Sequence, residues 1–364
     1  MATSARHYQP SALDNIEDVE EYRKGGFHPV HLGDSFASGR YHVLYKLGFG
    51  GFSTVWLARD ERLRRLVALK IITAEASSRC VELQILRHLN ESSVDHPGRS
   101  HIMSILDHFN VQGPNGSHAC LVSQLAGPSV TQICDSPGQM AGSPLPGANT
   151  SLSAPDYLVE PLDRSRIHSS YFSGDALLVD FGHSFMSDSP PPEGVGTPLS
   201  YCSPEALFDN RASVWSDIWA LGYTIFEIRA GSQLFASFLG GPDEVIRQMV
   251  QTLGKLPEPW WSAWEQRSAY FDESGRPKRT WENDIPLAVE YPLVEQIRDI
   301  GAEDEVDEDE SPVGTIMEAP GTRLSEAEVL TLEDLMHGTI AYAPEQRMPA
   351  DKAVIHPWFT GVCG

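Results

Sequence analysis

Apolar and β-branched residues predominate in three short stretches between residues 41 and 72. Glycines or charged residues separate the stretches, and this pattern is typical of consecutive strands joined by turns. The stretches are YHVLYKLGFG, FSTVWLARD and LVALKII. Two further strands are predicted from the apolar stretches at 101–109 and 118–125. The chain therefore begins with a sheet, after a polar segment at 1–40 that is rich in turn residues.

A different periodicity interrupts the strands at 78–89, SRCVELQILRHL. Its apolar residues recur at the spacing of one face of a helix, namely at Val81, Ile85, Leu86 and Leu89. The sequence therefore predicts a unit of five strands and one helix that ends near Ala126.

The next segment, 127–156, is rich in proline, glycine and serine and shows no helical period after Cys134, so we interpret it as a linker. Order returns with a predicted strand and turn at ALLVDFG, 176–182. The remaining periodic stretches are helical. They predict a largely buried helix at 213–229 and further helices at 243–253, 324–336 and 350–355.

Composition restricts the classes of function. The chain is 41% hydrophobic and 21% charged, as in ordinary globular proteins, but its net charge is −23. Such an acidic chain is poorly suited to nucleic acid or anionic membranes and better suited to a basic partner. Part of the charge lies in the run Glu303–Glu310, which is either a solvated loop or a docking site for basic peptides.

Targeting and redox signals place the chain in a reducing compartment, in the cytoplasm, the nucleus or both. The five cysteines are scattered without a CxxC pair, which indicates neither a zinc site nor a disulfide framework. The first residues lack the apolar core of a signal peptide, and no stretch approaches the roughly 18 apolar residues of a membrane span.

A glycine-rich turn lies between the first two long strands. It comprises Leu47, Gly48, Phe49, Gly50, Gly51, Phe52, Ser53, Thr54 and Val55. Glycines let a hairpin backbone approach a polyphosphate and present its N–H groups, although an ordinary hairpin also carries glycines. A position between two strands argues against a Rossmann fingerprint, and there is no GxxxxGK[ST] P-loop.

Lys70 follows three apolar residues on the next predicted strand, Val67-Ala68-Leu69. A lysine is rarely buried without a partner, so it is either a snorkelling edge residue or a cation that holds the α- and β-phosphates of a nucleotide. Glu82, beside the apolar stripe of the following helix, is its natural ion-pair partner, with an ordinary surface glutamate as the alternative.

These motifs resemble the start of the kinases that phosphorylate serine/arginine-rich (SR) splicing proteins, particularly their fungal members. The lead-in YRKGGFHPV at 22–30 and the serine at position 53, where many kinases have a third glycine, carry the resemblance. It implies an α+β, bilobal eukaryotic protein-kinase fold, with a β-rich N-lobe and a mainly helical, internally truncated C-lobe.

The C-terminal half continues the resemblance with motifs in the family's order. They are Asp180-Phe181-Gly182, GTPLSYCSPE at 196–205, DIWALG at 217–222, LGKLP at 253–257 and HPWF at 356–359. The resemblance implies that Asp180 holds Mg²⁺ and that Arg347 pairs with Glu205. The implied domains are an N-terminal extension (1–40), an ATP-binding N-lobe (41–126), a linker (127–156) and the rest of the C-lobe (157–360), with an acidic insert at about 302–312.

The catalytic loop of the family is missing from the sequence. A kinase needs an aspartate that accepts the substrate's proton and an asparagine shortly after it for a second metal. Between Gly127 and Val179 no Asp-x-x-x-x-Asn occurs. Asp163 is a weak candidate for the base, because His168 stands where the asparagine is needed, and a surface aspartate is the alternative. The supporting helix is missing too, so we expect apolar side chains of helix 213–229 to be exposed.

Two functions follow. The first is an ATP- and Mg²⁺-dependent protein serine/threonine kinase, a monomer that phosphorylates basic, Arg/Ser-rich proteins and contacts neither nucleic acid nor membrane. The second is a catalytically dead pseudokinase, or a truncated isoform, that binds ATP or protein partners as a scaffold. The joint absence of base, asparagine and helix favours one missing block of chain, from a splice variant or an incomplete gene model.

Overall fold

The architecture comes from a computed structural model that describes residues 16–92, 95–127, 153–162, 175–191, 194–237, 241–279, 281–282, 285–302 and 322–361. The described residues form two compact units. One contains the residues up to 127 together with 153–162 and 175–184, and the other begins at Phe185. Among these residues, no helix is both long and apolar enough to cross a lipid bilayer.

The first unit is built on a six-stranded antiparallel sheet with the order β1-β2-β3-β4-β6-β5. The strands are β1 (Ser35–Phe36), β2 (Tyr41–Gly50), β3 (Ser53–Asp60), β4 (Arg65–Ile72), β5 (Ile105–Gly113) and β6 (Gly116–Ser123). All five predicted strands are present. The sequence missed β1 because two residues are too short to show an alternation.

Helices follow the third long strand, as predicted. A short helix, α1 (Ala74–Ser77), precedes α2 (Val81–Glu91), and 3₁₀ turns lie at Val19–Glu21 and Pro97–His101. Leu83 of α2 packs with buried Ile72 and Leu121, on one face of the sheet.

The opposite face of the sheet is covered in part by segments from outside it. Val30, from the N-terminal residues, and Val159 pack with buried strand residues such as Trp56 and Leu69. Residues 157–162 and 175–184 belong to the first unit, whereas the sequence assigns both ranges to the C-lobe.

The strand predicted at 176–182 is not formed. Within the described part of the chain, Leu178 makes only an isolated parallel bridge with Ile102, and Val179 and Asp180 have no strand partner. An apolar run of this length fits a strand or a buried segment equally well, and here it ends in a turn.

The second unit is mainly helical. Its helices are α3 (Pro204–Asp209), α4 (Val214–Ala230), α5 (Pro242–Leu253), α6 (Trp260–Ala263), α7 (Arg267–Tyr270), α8 (Leu293–Arg298), α9 (Glu326–Thr339), α10 (Ala350–Ala353) and α11 (Pro357–Gly361). The unit also contains 3₁₀ turns at Leu199–Tyr201 and Pro344–Gln346 and a small hairpin of β7 (Trp281–Glu282) and β8 (Ile285–Pro286). The four predicted helices correspond to α4, α5, α9 and α10; most of the others are too short to show a period.

Helix α4 is the centre of this unit and combines two kinds of surface. It begins at a capping box formed by Ser213 and Ser216 and ends at Gly231 with φ 69°. Its buried aromatic residues, including Trp219 and Tyr223, form the core with α9.

Another face of α4 carries Val214, Leu221 and Ile228, seven residues apart, with 56%, 40% and 37% of their surface exposed. The expected exposure of apolar side chains on this helix is confirmed.

The bidentate ion pair between Arg347 and Glu205 is also confirmed. Both guanidinium nitrogens lie 2.7 Å from a carboxylate oxygen, and both side chains are buried. The same guanidinium donates to the carbonyl oxygens of Ala341 and Trp215, each at 2.8 Å, and lies 5.1 Å from the ring centre of Trp219. One side chain thus connects α3, the start of α4 and the segment after α9.

We expect Arg347→Ala to lower the free energy of unfolding of the second unit by about 3–5 kcal/mol, because Glu205 is left as a buried, unpaired charge. Urea unfolding followed by tryptophan fluorescence measures the loss. The control is Arg298→Ala, which removes an exposed pair with Glu326 at 3.8 Å and should cost less than about 1 kcal/mol. Equal losses in the two variants would contradict this account.

Two buried histidines lie on the face of the sheet that Val30 and Val159 cover. The rings of His28 and His118 are 4.9 Å apart, and among the described residues Nδ1 of His28 has no hydrogen-bond partner. Burial, helped by His118, lowers the pKa of His28 from 6.5 to about 4, so the ring is neutral in the folded protein at neutral pH.

We expect the first unit to lose stability as the pH falls from about 6.5 to about 4, since the unfolded chain then binds a proton that folded His28 does not. The loss from this residue should reach about 3 kcal/mol. Thermal unfolding of His28→Phe across this pH range should show a shallower decline than the wild type. The exposed replacement His88→Phe should retain the wild-type slope, and a wild-type slope in His28→Phe would refute the assignment.

Candidate functional site

The glycine-rich turn is the tip of the β2–β3 hairpin, where Gly50 pairs with Ser53. A side-chain carbon added to Gly48, Gly50 or Gly51 would meet no atom of the described residues within 4 Å. The glycines therefore leave open space on the backbone and are not required by packing. This is the property that a loop needs to approach a bulky anion closely.

The remaining residues of the turn divide into buried and exposed groups. Leu47, Ser53 and Thr54 are buried, and Thr54 Oγ1 accepts a hydrogen bond from the indole of Trp56 at 3.0 Å. Phe49 and Phe52 are exposed, and the ring of Phe52 contacts that of His183 at 5.9 Å. His183 was not predicted at this turn, because in the sequence it only follows the Asp180-Phe181-Gly182 motif.

Lys70 is the charged centre of the site. On β4 it pairs in register with Val55 of β3 and Leu121 of β6, which places its side chain on the face of the sheet that α2 covers. Its Nζ lies 2.7 Å from Glu82 Oε2 and 2.7 Å from Asp180 Oδ1. The predicted ion pair with Glu82 is confirmed, and the three predicted residues meet at one ammonium group.

The electrostatics favour the charged forms of Lys70 and Asp180. Burial opposes the charge on Lys70, but Glu82 and Asp180 outweigh it and raise the pKa of the ammonium above its usual value. Burial likewise opposes ionisation of Asp180, but Lys70 outweighs it and lowers the pKa of that carboxyl. The side chain of Asp180 is 70% exposed, whereas that of Glu82 is 3% exposed. Asp180 is therefore the carboxylate that a ligand in solution can reach.

Backbone contacts fix the segment that carries Asp180. The N–H of Leu178 donates to His101 O at 2.7 Å, and the N–H of Phe181 donates to Glu82 Oε1 at 3.3 Å. Asp180 itself has φ 63°, a left-handed conformation that costs of the order of 1–3 kcal/mol in a residue other than glycine. The surrounding contacts hold the backbone in this conformation.

The base candidate Asp163 lies outside the described residues, as does the acidic run Glu303–Glu310. In the described parts of the window, Asp156 lies beside His31, with its Oδ2 3.6 Å from Nε2. Among the described residues, there is no group of three or more histidine, cysteine, aspartate or glutamate side chains that could hold a metal ion. The phosphate- and metal-binding roles of Lys70, Glu82, Asp180 and the glycine-rich turn remain predictions.

One buried charged residue beside the turn was missed by the sequence analysis. Lys46 immediately precedes Leu47 and is fully buried, in an ion pair with Glu17 of the N-terminal extension. A signal was available, because Lys46 interrupts an otherwise apolar strand, but its partner is 29 residues away.

Comparison with known families identifies a match over residues 171–359 to the family described as "Protein kinase domain". The match includes the Asp180 segment and the second unit. It covers just over half of the chain.

Among individual proteins, a serine/threonine protein kinase of Aspergillus fumigatus is 32% identical over 318 aligned positions, covering 72% of this chain and 78% of the relative. The protein kinase dsk1 of Schizosaccharomyces pombe is 42% identical over 125 residues, which cover 34% of this chain and 23% of the length of dsk1. Human SRSF protein kinase 3 is 42% identical over 114 residues, which cover 30% of this chain and 20% of the length of that kinase.

The coverage of the Aspergillus alignment is informative. Its 318 positions exceed the number of residues in 72% of this 364-residue chain. The alignment therefore includes several dozen positions at which the relative has a residue and this chain has none.

Proposed function

The chain belongs to the protein kinase family, as a serine/threonine kinase of the SR-protein kinase type, and on this basis we propose that it binds Mg·ATP between the glycine-rich turn and Lys70. The family uses ATP as phosphoryl donor together with Mg²⁺. The kinase-domain match and the SR-protein kinase relatives support the first of the two functions inferred from the sequence and give a binding-only scaffold no support.

The observation that carries the proposal is the ammonium of Lys70 held between Glu82 and Asp180, 2.7 Å from each. Glu82 is buried and holds Lys70 on the face of the sheet that α2 covers. A lysine held in this way is a point charge suited to the α- and β-phosphates, and the uncrowded glycine backbone is suited to the rest of the polyphosphate. In this proposal Lys70 binds phosphate, Glu82 positions Lys70, and residues 47–55 cover the nucleotide.

Asp180 is the proposed ligand of Mg²⁺, and its environment fits this role. Mg²⁺ in such sites takes one or two carboxylates together with phosphate oxygens and water, so one exposed carboxylate beside the phosphate site suffices as a protein anchor. When bound, the metal would neutralise charge that develops on the phosphates. Lys70 keeps Asp180 ionised and therefore able to bind a cation.

The proposed substrates are serine or threonine residues in basic, Arg/Ser-rich proteins. The net charge of −23 favours basic partners, and two of the relatives carry the names dsk1 protein kinase and SRSF protein kinase 3. A monomeric state, the absence of direct contacts with nucleic acid or membrane, and residence in the cytoplasm or nucleus remain predictions.

The transfer step requires a group that the sequence does not supply in the family's form. No Asp-x-x-x-x-Asn lies between Gly127 and Val179, and the Aspergillus alignment contains positions that this chain lacks. The exposed stripe of Val214, Leu221 and Ile228 is what the loss of a covering helix would leave. We therefore propose that a block of the catalytic region is missing from this 364-residue sequence and that the ATP side of the site is intact.

We expect Mg·ATP to stabilise the purified chain by about 2.7 kcal/mol at a concentration 100 times its Kd, because a ligand that binds only the folded state shifts unfolding. Differential scanning fluorimetry measures the shift, with each variant compared with its own ligand-free state. Lys70→Ala should abolish the shift. The control Lys24→Ala, which removes an exposed lysine of the same unit, should leave it unchanged. A wild-type chain without any shift would refute ATP binding.

We expect the 364-residue chain to transfer negligible phosphate from ATP to an Arg/Ser peptide, and a chain that includes the missing block to transfer it efficiently. Sequencing the transcript across the codons for residues 134–156 identifies the block, and a radiolabelled-phosphate assay compares the two chains. Robust phosphorylation by the shorter chain, lost in Lys70→Ala, would contradict this expectation. Asp163→Asn would then test the remaining candidate for the base.

A further inference from the structure

Lys46 and Lys70 lie on opposite faces of the same sheet. Lys46 of β2 pairs in register with Trp56 of β3, and Lys70 pairs with the neighbouring Val55. Since successive residues of a strand point to opposite faces, the two lysines do too. Lys70 faces the proposed nucleotide site, and Lys46 is buried behind the strand that leads into the glycine-rich turn.

The partner of Lys46 comes from the N-terminal extension. Its Nζ forms an ion pair with Glu17 Oε2, while Glu17 Oε1 accepts a hydrogen bond from the hydroxyl of Tyr22 at 2.6 Å. All three side chains are buried. Both oxygens of this carboxylate are therefore used, which is the arrangement that makes a buried charge tolerable.

The ammonium of Lys46 also contacts the turn itself. It lies 5.3 Å from the ring centre of Phe49 and 5.5 Å from that of Trp56, both within the range of a cation–π interaction. Phe49 stands between Gly48 and Gly50. The carbonyl oxygen of Lys46 in addition accepts a hydrogen bond from the N–H of Leu162 at 2.8 Å.

We propose that Glu17 and Lys46 position the glycine-rich turn for the phosphates of ATP, through the contact of the Lys46 ammonium with Phe49. They are positioning residues, since neither side chain faces the nucleotide. The inference rests on the proposed ATP-binding function and assigns part of that function to the N-terminal extension.

The turn is restrained by backbone pairing and by few side-chain contacts. Gly50 pairs with Ser53, but among the described residues a side-chain carbon added to Gly48 or Gly51 would meet no atom within 4 Å, so the glycines add no packing of their own. Phe49, which lies between Gly48 and Gly50, does contact a buried group, the ammonium of Lys46. Without Glu17, Lys46 would be an unpaired buried cation, and burial already lowers its pKa. We expect the side chain then to leave its place under Phe49 or to lose its proton, and either change removes the cation–π contact.

The first test needs no ligand. Hydrogen–deuterium exchange of the purified chain, followed by mass spectrometry, should show faster exchange of the amides at 48–53 in Glu17→Gln and Lys46→Met than in the wild type. Lys46→Arg, which keeps the charge and the cation–π contact, should restore slow exchange. The control Glu61→Gln removes an exposed pair with Arg59 on the neighbouring strand end and should leave exchange at 48–53 unchanged.

The second test uses two ligands on the same variants. Isothermal titration calorimetry should show about tenfold weaker binding of Mg·ATP to Glu17→Gln and no change for adenosine, which carries no phosphate. Tyr22→Phe, which removes only the hydroxyl that supports Glu17, should show a smaller loss in the same direction. A ratio of ATP to adenosine affinity that stays at the wild-type value would refute positioning, even if the variants melt earlier.

The outcomes separate this inference from the proposed function. If the wild type binds neither Mg·ATP nor adenosine, the proposed function fails, and exchange at 48–53 still decides whether the pair restrains the turn. If the wild type binds Mg·ATP but the variants change neither the affinity ratio nor the exchange, only the positioning role fails. Faster exchange spread evenly over the first unit would mean that the pair serves overall stability alone, and would also overturn the proposal.

Discussion

The ammonium of Lys70, shared by Glu82 and Asp180, is the interaction on which the candidate site depends. It joins a central strand, helix α2 and the segment after Leu178, and none of these would present a charged group to the site alone. A buried lysine is costly, and two carboxylates at 2.7 Å offset the cost while differing in exposure. The buried carboxylate holds the lysine and the exposed one is available to a cation. Structure and chemistry are thus set by one arrangement of three charges.

A second lysine paired with a buried carboxylate lies on the other face of the sheet. The pair of Lys46 with Glu17, supported by Tyr22, connects the N-terminal extension to the strand that precedes the glycine-rich turn. The extension is therefore part of the first unit's structure, as the packing of Val30 and Phe36 also indicates. A buried ion pair behind the glycine-rich hairpin can restrain a backbone that glycine leaves free to adopt many conformations.

The second unit combines a buried core with an exposed apolar face on one helix. Arg347 and Glu205 keep α3, the start of α4 and the segment after α9 together, and the aromatic core around Trp219 and Tyr223 is closed. Along another face of α4, three apolar side chains seven residues apart remain exposed. A spacing of seven residues places them on one side of the helix, as in an apolar stripe that packs against another helix. This agrees with a missing block of the catalytic region and with the positions that the fungal relative has and this chain lacks.

The sequence by itself determined five strands and the main helices, which follow from local periodicity. Its motifs, in a fixed order, carried the resemblance to a kinase family, and that resemblance implied the pair of Arg347 with Glu205. The sequence also indicated Glu82 as the natural partner of Lys70. Only the tertiary structure placed 157–162 in the first unit, reduced the strand at 176–182 to a single bridge and brought Glu17 to Lys46. The physical reason is the distance along the chain over which each kind of interaction acts. Periodicity reports which face of an element is apolar, whereas long-range packing decides which distant segment covers that face and which buried charge meets which partner.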